Sequence, residues 1–230
     1  MAFARLVHER LCATYGCPIP FFHNFDPLSE LVSSLLSHRT RNSDSGRAFK
    51  ELRRRFPTWE LVRDAPTAEI QDALAPCTWP EQKAPRLREI LREIGERRGE
   101  LNLDFLAEMT VPEARSWLES LRGIGPKTSA AVLLFSSLRR PALPVDSHHH
   151  RVAARLGLIP ANVPVGKAHA LLEAQLPPNS SAQEVYDNHE VLMIHGQKVC
   201  DAKSPRCRVC VLLDICQFGQ NRMSKSTSHP

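Results

Sequence analysis

The sequence has no run approaching 18 uninterrupted apolar residues, so it offers no helix that would span a membrane. It has no stretch of sustained apolar–polar alternation, which excludes the sheet-built classes. No self-similar period is visible, so it is not a solenoid or array. Residues 1–16 are amphipathic and contain Glu9, and they lack the apolar core and small-residue cleavage site of a secretory signal. The expectation is a cytoplasmic, nucleoid-associated protein. The seven cysteines also lack the spread that a small secreted disulfide scaffold would show, because four of them crowd into residues 200–216. Cys12, Cys17 and Cys77 read as ordinary core or surface residues.

What is present is helical periodicity. Leu28, Leu31, Val32, Leu35 and Leu36 recur at spacings of three and four, with Asp26 placed to cap the helix and Pro27 at its first position. Ala48, Phe49, Leu52 and Phe56 mark a second helix, Ile70 and Leu74 a short third, and Ala84, Leu87, Leu91 and Ile94 a fourth. Thr110 and Glu113 form a capping box ahead of Ala114, Trp117, Leu118 and Leu121, and Gly123 ends that helix. Further helices end at Gly157 and at Pro177-Pro178, and a long one runs from about 182 to 196. The class expected is all-α, with about ten helices, and the polar, Ser-rich residues 221–230 read as a disordered tail. The hydrophobic fraction of 42% and 230 residues suit one large domain or two small ones. A net charge of +5 is compatible with a nucleic-acid partner without requiring one. Runs such as Arg53-Arg54-Arg55 and Arg97-Arg98 read as solvated helix faces.

Two constellations carry chemistry. The first is Cys200-x6-Cys207-x2-Cys210-x5-Cys216, four thiols able to enclose one metal centre. Structural zinc and a [4Fe–4S] cluster both remain open, as does a set of merely buried cysteines, but a lone C-x-x-C with outer spacings of six and five is not the paired-knuckle pattern of zinc modules. Lys203 and Arg206, in the loop between the first two cysteines, suit phosphate contact or simple solvation. The second is Leu121-Arg122-Gly123-Ile124-Gly125-Pro126-Lys127-Thr128 between two helices. Two glycines permit a tight turn and a close approach of backbone to a partner, and a helix start offers its amides to phosphate. A tight helical corner without a ligand would read the same way. Lys127 in the first turn meets the positive end of the helix dipole, which suits either a phosphate contact or an amine nucleophile. Asp146, nineteen residues later in Pro144-Val145-Asp146-Ser147-His148, is a candidate partner and equally a helix cap. His148, His149 and His150 invite a metal reading, but adjacent helical residues point in different directions.

In that order and at those distances the motifs resemble the helix–hairpin–helix DNA glycosylases of the endonuclease III type. Leu-Arg-Gly-Ile-Gly-Pro-Lys-Thr is similar to that family's hairpin, Val145-Asp146-Ser147-His148 to its Val-Asp-Thr-His, and His195-Gly196-x3-Cys200 with the cysteine spacing to its [4Fe–4S] site. The resemblance covers roughly residues 25–220. It implies a two-lobed all-α fold, with a helical barrel over 27–142 and a cluster lobe formed by 1–26 and 143–220. It implies a monomer that binds duplex DNA containing a damaged base or an abasic site. It makes Lys127 and Asp146 catalytic, Cys200, Cys207, Cys210 and Cys216 the cluster ligands, and His38, Gly123, Gly125, Thr128, His148, Lys203 and Arg206 DNA contacts. The implied reaction is base excision, of oxidised pyrimidines first, with an associated abasic-site lyase step. The chain departs from the family at Leu36-Ser37-His38-Arg39-Thr40-Arg41-Asn42, where His38 stands in place of a glutamine and Asn42 in place of an aspartate. A methylcytosine-like or mismatched uracil or thymine substrate, and a non-catalytic DNA binder, are the alternatives.

Overall fold

The computed structural model describes residues 2–226 and is built of α-helices and short 3-10 turns, with no strand among the described residues. The helices are α1 Ala2–Tyr15, α2 Pro27–Ser37, α3 Asn42–Arg55, α4 Trp59–Asp64, α5 Thr67–Ala73, α6 Pro80–Arg98, α7 Val111–Glu119, α8 Pro126–Phe135, α9 Ser147–Leu156, α10 Val165–Glu173, α11 Ala182–Lys198 and α12 Gln217–Ser226. No helix is long and apolar enough to cross a membrane among the described residues. Residues 221–226, where the composition predicts disorder, continue α12. Residues 227–230 of that expected tail lie outside the described residues.

The chain divides into two compact units, residues 23–138 and residues 1–22 with 139–230, each boundary four residues earlier than the motifs suggest. The first unit closes on itself where Ser137 N donates to Phe25 O at 2.7 Å. Its centre is α8, which is buried on every side from Ser129 to Phe135 and lies against α2 and α7. Such a helix has almost no amphipathic pattern because it faces core all round. Around it, α2 presents Leu28, Leu31, Val32 and Leu36, while α6 buries Leu87, Ile90, Leu91 and Ile94 against α4 and α5. Asp26 caps α2 by accepting from Ser29 N at 2.8 Å, and Thr110 with Glu113 closes a reciprocal capping box on α7.

In the second unit α9 and α11 cross closely, with α1, α10 and α12 around them. Gly196 permits the crossing, since a Cβ there would lie 2.9 Å from His148 Cβ and 3.0 Å from the His148 carbonyl oxygen. Val7, Leu11, Val152, Leu156, Val191, Leu192 and Leu212 form the core between them, extended by Cys216. Ser181 and Glu184 make a second capping box that starts α11.

Candidate active site and cluster lobe

In unit 23–138 the site begins at the turn between α7 and α8. Leu121 and Ile124 are buried and pin the turn to the core, so the backbone between them is held outward. Gly123 has φ +84°, a left-handed conformation that side chains rarely adopt, and the Arg86 guanidinium lies where its Cβ would be. Gly125 is extended, with nothing within 4 Å of a Cβ, and it starts α8 without a side-chain cap. No acidic residue lies in the first turn. Lys127 and Thr128 are half-buried in that turn. The helix start is therefore open, and backbone and lysine together form its face.

His38 is exposed at the C-cap of α2. Partial burial, then the charges of Arg39, Lys83, Lys127 and Arg86, hold its imidazole below the usual histidine range. Those four cations place the end of α2, the start of α6 and the glycine turn on one positive surface. Lys83 fixes the loop that carries His38, because its ammonium donates to Leu36 O at 2.7 Å, His38 O at 3.0 Å and Thr40 Oγ1 at 2.7 Å. Nothing in the sequence pattern marked Lys83. Its role depends on two segments meeting across the fold, which local spacing does not reveal.

In the other unit, Asp146 is half-buried and caps α9, its Oδ1 accepting from His149 N at 2.7 Å. The extended residues leading to it are held by side chains rather than by a sheet. Glu173 accepts from Leu143 N at 2.8 Å, His169 Nε2 accepts from Val145 N at 3.1 Å, and His189 Nδ1 donates to Pro144 O at 2.8 Å. Buried backbone groups need such partners, and here three side chains from α10 and α11 supply them. Burial, followed by the charges of Asp146 and Asp187, raises the Glu190 carboxyl to about 7.

The three consecutive histidines separate as helical geometry requires. His148 is half-buried, with Nδ1 3.0 Å from Arg151 Nη2; His149 is fully buried; and His150 donates from Nε2 to Val163 O at 2.7 Å. His149 has no hydrogen-bond partner for either ring nitrogen, and burial holds it well below the ordinary histidine range, so it packs as a neutral core ring.

Cys200, Cys207, Cys210 and Cys216 are free thiols lining one pocket together with Arg155, His195 and Leu212. Arg155 Nη1 donates to Cys200 Sγ at 3.3 Å, Gly219 N donates to Cys216 Sγ at 3.4 Å, and His195 Nε2 lies 3.5 Å from Cys210 Sγ. Burial raises the Cys210 and Cys216 thiols, and their neighbours' negative charge adds to this, so thiolates here require a positive centre to hold them. A single tetrahedral zinc would draw its sulfurs to about 3.8 Å of one another at Zn–S of about 2.3 Å. Among the described residues no group of three or more His, Cys, Asp or Glu is arranged to hold one metal ion. In the loop between Cys200 and Cys207, Asp201 Oδ1 accepts from Lys203 N and Ser204 N at 2.9 and 3.0 Å, and Lys203 is exposed. Arg206 is also exposed but turns back, its Nε donating to Lys198 O at 3.1 Å. Cys12 and Cys17, which read as unremarkable in the sequence, form a disulfide.

Residues 32–178 match the HhH-GPD superfamily of base excision DNA repair proteins, a span holding the glycine turn, Lys127 and Asp146. The chain belongs to this superfamily. Within it the chain groups with endonuclease III-like DNA glycosylases. It is 31% identical to endonuclease III of Thermotoga maritima over 202 residues, covering 86% of this chain and 85% of that one. It is 34% identical over 173 residues to a putative DNA glycosylase of Arabidopsis thaliana, covering 75% of this chain but only 57% of the plant protein. Among solved structures, an endonuclease III in a non-covalent complex with DNA superposes with a TM-score of 0.81 at 23% identity, covering 96% of both chains. A thermostable thymine-DNA glycosylase superposes at 0.78 with 20% identity, covering 96% of this chain and 98% of that one. At those identities the two structures show the HhH-GPD fold and leave the substrate open.

Proposed function

We propose that this HhH-GPD chain is a bifunctional glycosylase that excises a damaged pyrimidine from duplex DNA and then cuts the strand, with Lys127 as its nucleophile. The observation that carries this reading is the uncapped start of α8, where a half-buried lysine follows an open Gly125 beside the Arg86 guanidinium, and where Lys127, Arg86, Arg39 and Lys83 all bear on His38. The first-turn amides and the cations suit the phosphate backbone, which positions the protein without reading sequence. The target base has to leave the stack before its sugar can be attacked. The Lys127 Nζ lone pair then bonds to C1′, the glycosidic bond electrons depart with the base, and the base takes up a proton. Asp146 stabilises the positive charge that develops on the sugar. Collapse of the ring gives a Schiff base on Lys127, and loss of a C2′ proton eliminates the 3′ phosphate.

The four thiols line one pocket, and their single C-x-x-C with outer spacings of six and five favours a [4Fe–4S] cluster over zinc. A cluster bound there supplies structural cohesion to the lobe, because protein sulfurs fill every ligand position. Cys200, Cys207, Cys210 and Cys216 would hold it, with Arg155 and the Gly219 amide placed to offset thiolate charge. Lys203 is free to reach phosphate, while Arg206 serves first to close the end of α11.

A panel of duplexes resolved on a denaturing gel tests the reading. It should include an oxidised pyrimidine, uracil and thymine mismatches, 5-methylcytosine and a plain abasic site. The expected result is strand cleavage at the oxidised pyrimidine without alkali. Cleavage that needs alkali would remove the lyase step, cleavage confined to a mismatch would reassign the substrate, and none at all would leave a DNA-binding protein.

A further inference from the structure

The Cys12–Cys17 disulfide sits in the same unit as four cysteines that stay free thiols, so one chain holds an oxidised pair beside reduced ones. Where thiols are kept reduced, a disulfide that does form is mostly transient, as a redox sensor or a reaction intermediate. This one joins the last turn of α1 to the residue after Gly16, whose φ of +81° reverses the chain. Both cysteines are only half-buried, so a small thiol or disulfide can reach them. His8, one turn earlier on α1, places Nε2 3.5 Å from Cys12 Sγ. Burial holds that imidazole below its ordinary range, so it is a neutral base available to a reduced Cys12.

Tyr15 lies inside the loop that the disulfide closes. Its hydroxyl lies 3.0 Å from His195 Nδ1, and the same ring's Nε2 lies 3.5 Å from Cys210 Sγ. The edge of the Tyr15 ring packs on His195, with centroids 6.1 Å apart. The line from disulfide to Cys210 therefore passes through one phenol and one imidazole. Restricting the 12–17 loop restricts Tyr15, and Tyr15 orients the histidine beside a proposed cluster ligand. Partners at this remove commonly set how firmly a metal is held.

We infer that Cys12 and Cys17 are a reversible thiol–disulfide exchange site for low-molecular-weight disulfides of the glutathione type, and that its oxidised state clamps Tyr15 onto His195 to secure the cysteine pocket. The exchange balances. One thiolate attacks the small disulfide and expels a thiolate, and the second cysteine attacks the mixed disulfide and expels the other. The two protein thiols lose two electrons and two protons, and the small disulfide becomes two thiols. The exchange itself does not depend on a cluster; only the consequence at Cys210 rests on the cluster reading above.

The test holds the purified holoprotein in buffers of graded reduced-to-oxidised glutathione, labels free thiols with maleimide and maps the adducts by mass. Labelling of Cys12 and Cys17 should disappear together across one transition, and Cys12→Ser should leave Cys17 able only to form a mixed disulfide. A pair that stays labelled under excess oxidised glutathione, or unlabelled under excess dithiol, overturns the exchange site. A second arm follows loss of iron absorbance under a chelator, with the pair oxidised or reduced. Loss should be about tenfold slower with the pair oxidised, the lower end of what such neighbouring groups do to metal affinity. Tyr15→Phe should abolish that difference while its pair still oxidises, and equal rates in both states of the native protein overturn the clamp. A colourless protein would refute the cluster and with it the clamp, while the labelling arm would still decide the exchange site.

Discussion

Glu190 is 8% exposed, and burial, then the charges of Asp146 and Asp187, push its carboxyl up to about 7 from the 4.5 of an ordinary glutamate. The folded protein thus holds a proton that the unfolded chain has released. The stability from that proton is fully present below pH 4.5 and is lost as pH rises through 7. The expected loss is about 3 kcal/mol relative to Glu190→Gln across that interval, measured as the difference between their urea unfolding free energies at each pH. A constant difference would mean that Glu190 is ionised when folded. His38 behaves differently: partial burial, and then the surrounding cations, keep it neutral to lower pH. If it enters the gap left by a flipped base, any pH-dependent preference for the opposite base appears below pH 6.5 rather than at neutrality, and stacking of the neutral ring governs above it. Single-turnover excision against the four opposite bases at pH 5.5 and 7.5 should show that shift in the native protein and not in His38→Gln. Identical profiles would leave His38 no part in reading the opposite strand. At this scale the sequence singled out the candidate residues with chemistry of their own, Lys127, Asp146 and the four thiols. It did not reveal Lys83, His169, Glu173 or His189, whose work is to hold backbone from a distant segment.

Elements were legible wherever a cap or a stripe announced them. Asp26-Pro27 starts α2, Thr110 and Glu113 start α7, and Gly157 with φ +77° ends α9. The helix α8 has nearly no amphipathic signal because every side is core, and it is read from the glycine turn before it and the apolar residues Ala130, Ala131, Leu134 and Phe135. α12 was missed because a polar helix carries no apolar stripe, although Phe218 lies under the Arg155 guanidinium at 4.4 Å. The turn itself divides its two glycines by task. Gly123→Ala should lower stability by about 1–2 kcal/mol, since alanine is strained at a left-handed φ and must also displace Arg86. Gly125→Ala meets open space at an extended φ, so its melting temperature should stay near that of the native protein while DNA affinity falls, because the added methyl stands where phosphate would approach. Thermal melts and filter binding at fixed salt separate the two. Equal affinity for Gly125→Ala and the native protein would deny the turn its phosphate role.

At the scale of the molecule, the candidate residues fall in both units, with Lys127 in residues 23–138 and Asp146 and the four cysteines in the other. The order of motifs along the chain suggests lobes divided at 27 and 142, whereas the compact units divide four residues earlier, with the Ser137 to Phe25 hydrogen bond inside the first unit. The Cys12–Cys17 bond was not legible, since two cysteines five apart near a chain end look like any others until the fold turns them together. The cysteine lobe makes a further prediction. Purified protein should be yellow-brown, with iron and sulfide near four each per chain, as the cluster's composition requires. One zinc per colourless, folded chain would contradict it, and Cys207→Ser should reduce soluble yield more than it alters the excision step.

The central claim is that Lys127 makes the bond to the sugar, and borohydride reduction of the Schiff base tests it most directly. Native protein incubated with a duplex carrying an abasic site should be trapped as a covalent adduct. Lys127→Ala should give no adduct while still binding the duplex. Asp146→Asn should trap more slowly without loss of stability, because asparagine caps α9 as well as aspartate does and removes only the charge. Undiminished trapping by Lys127→Ala would contradict the account, for the nucleophile would then be another amine.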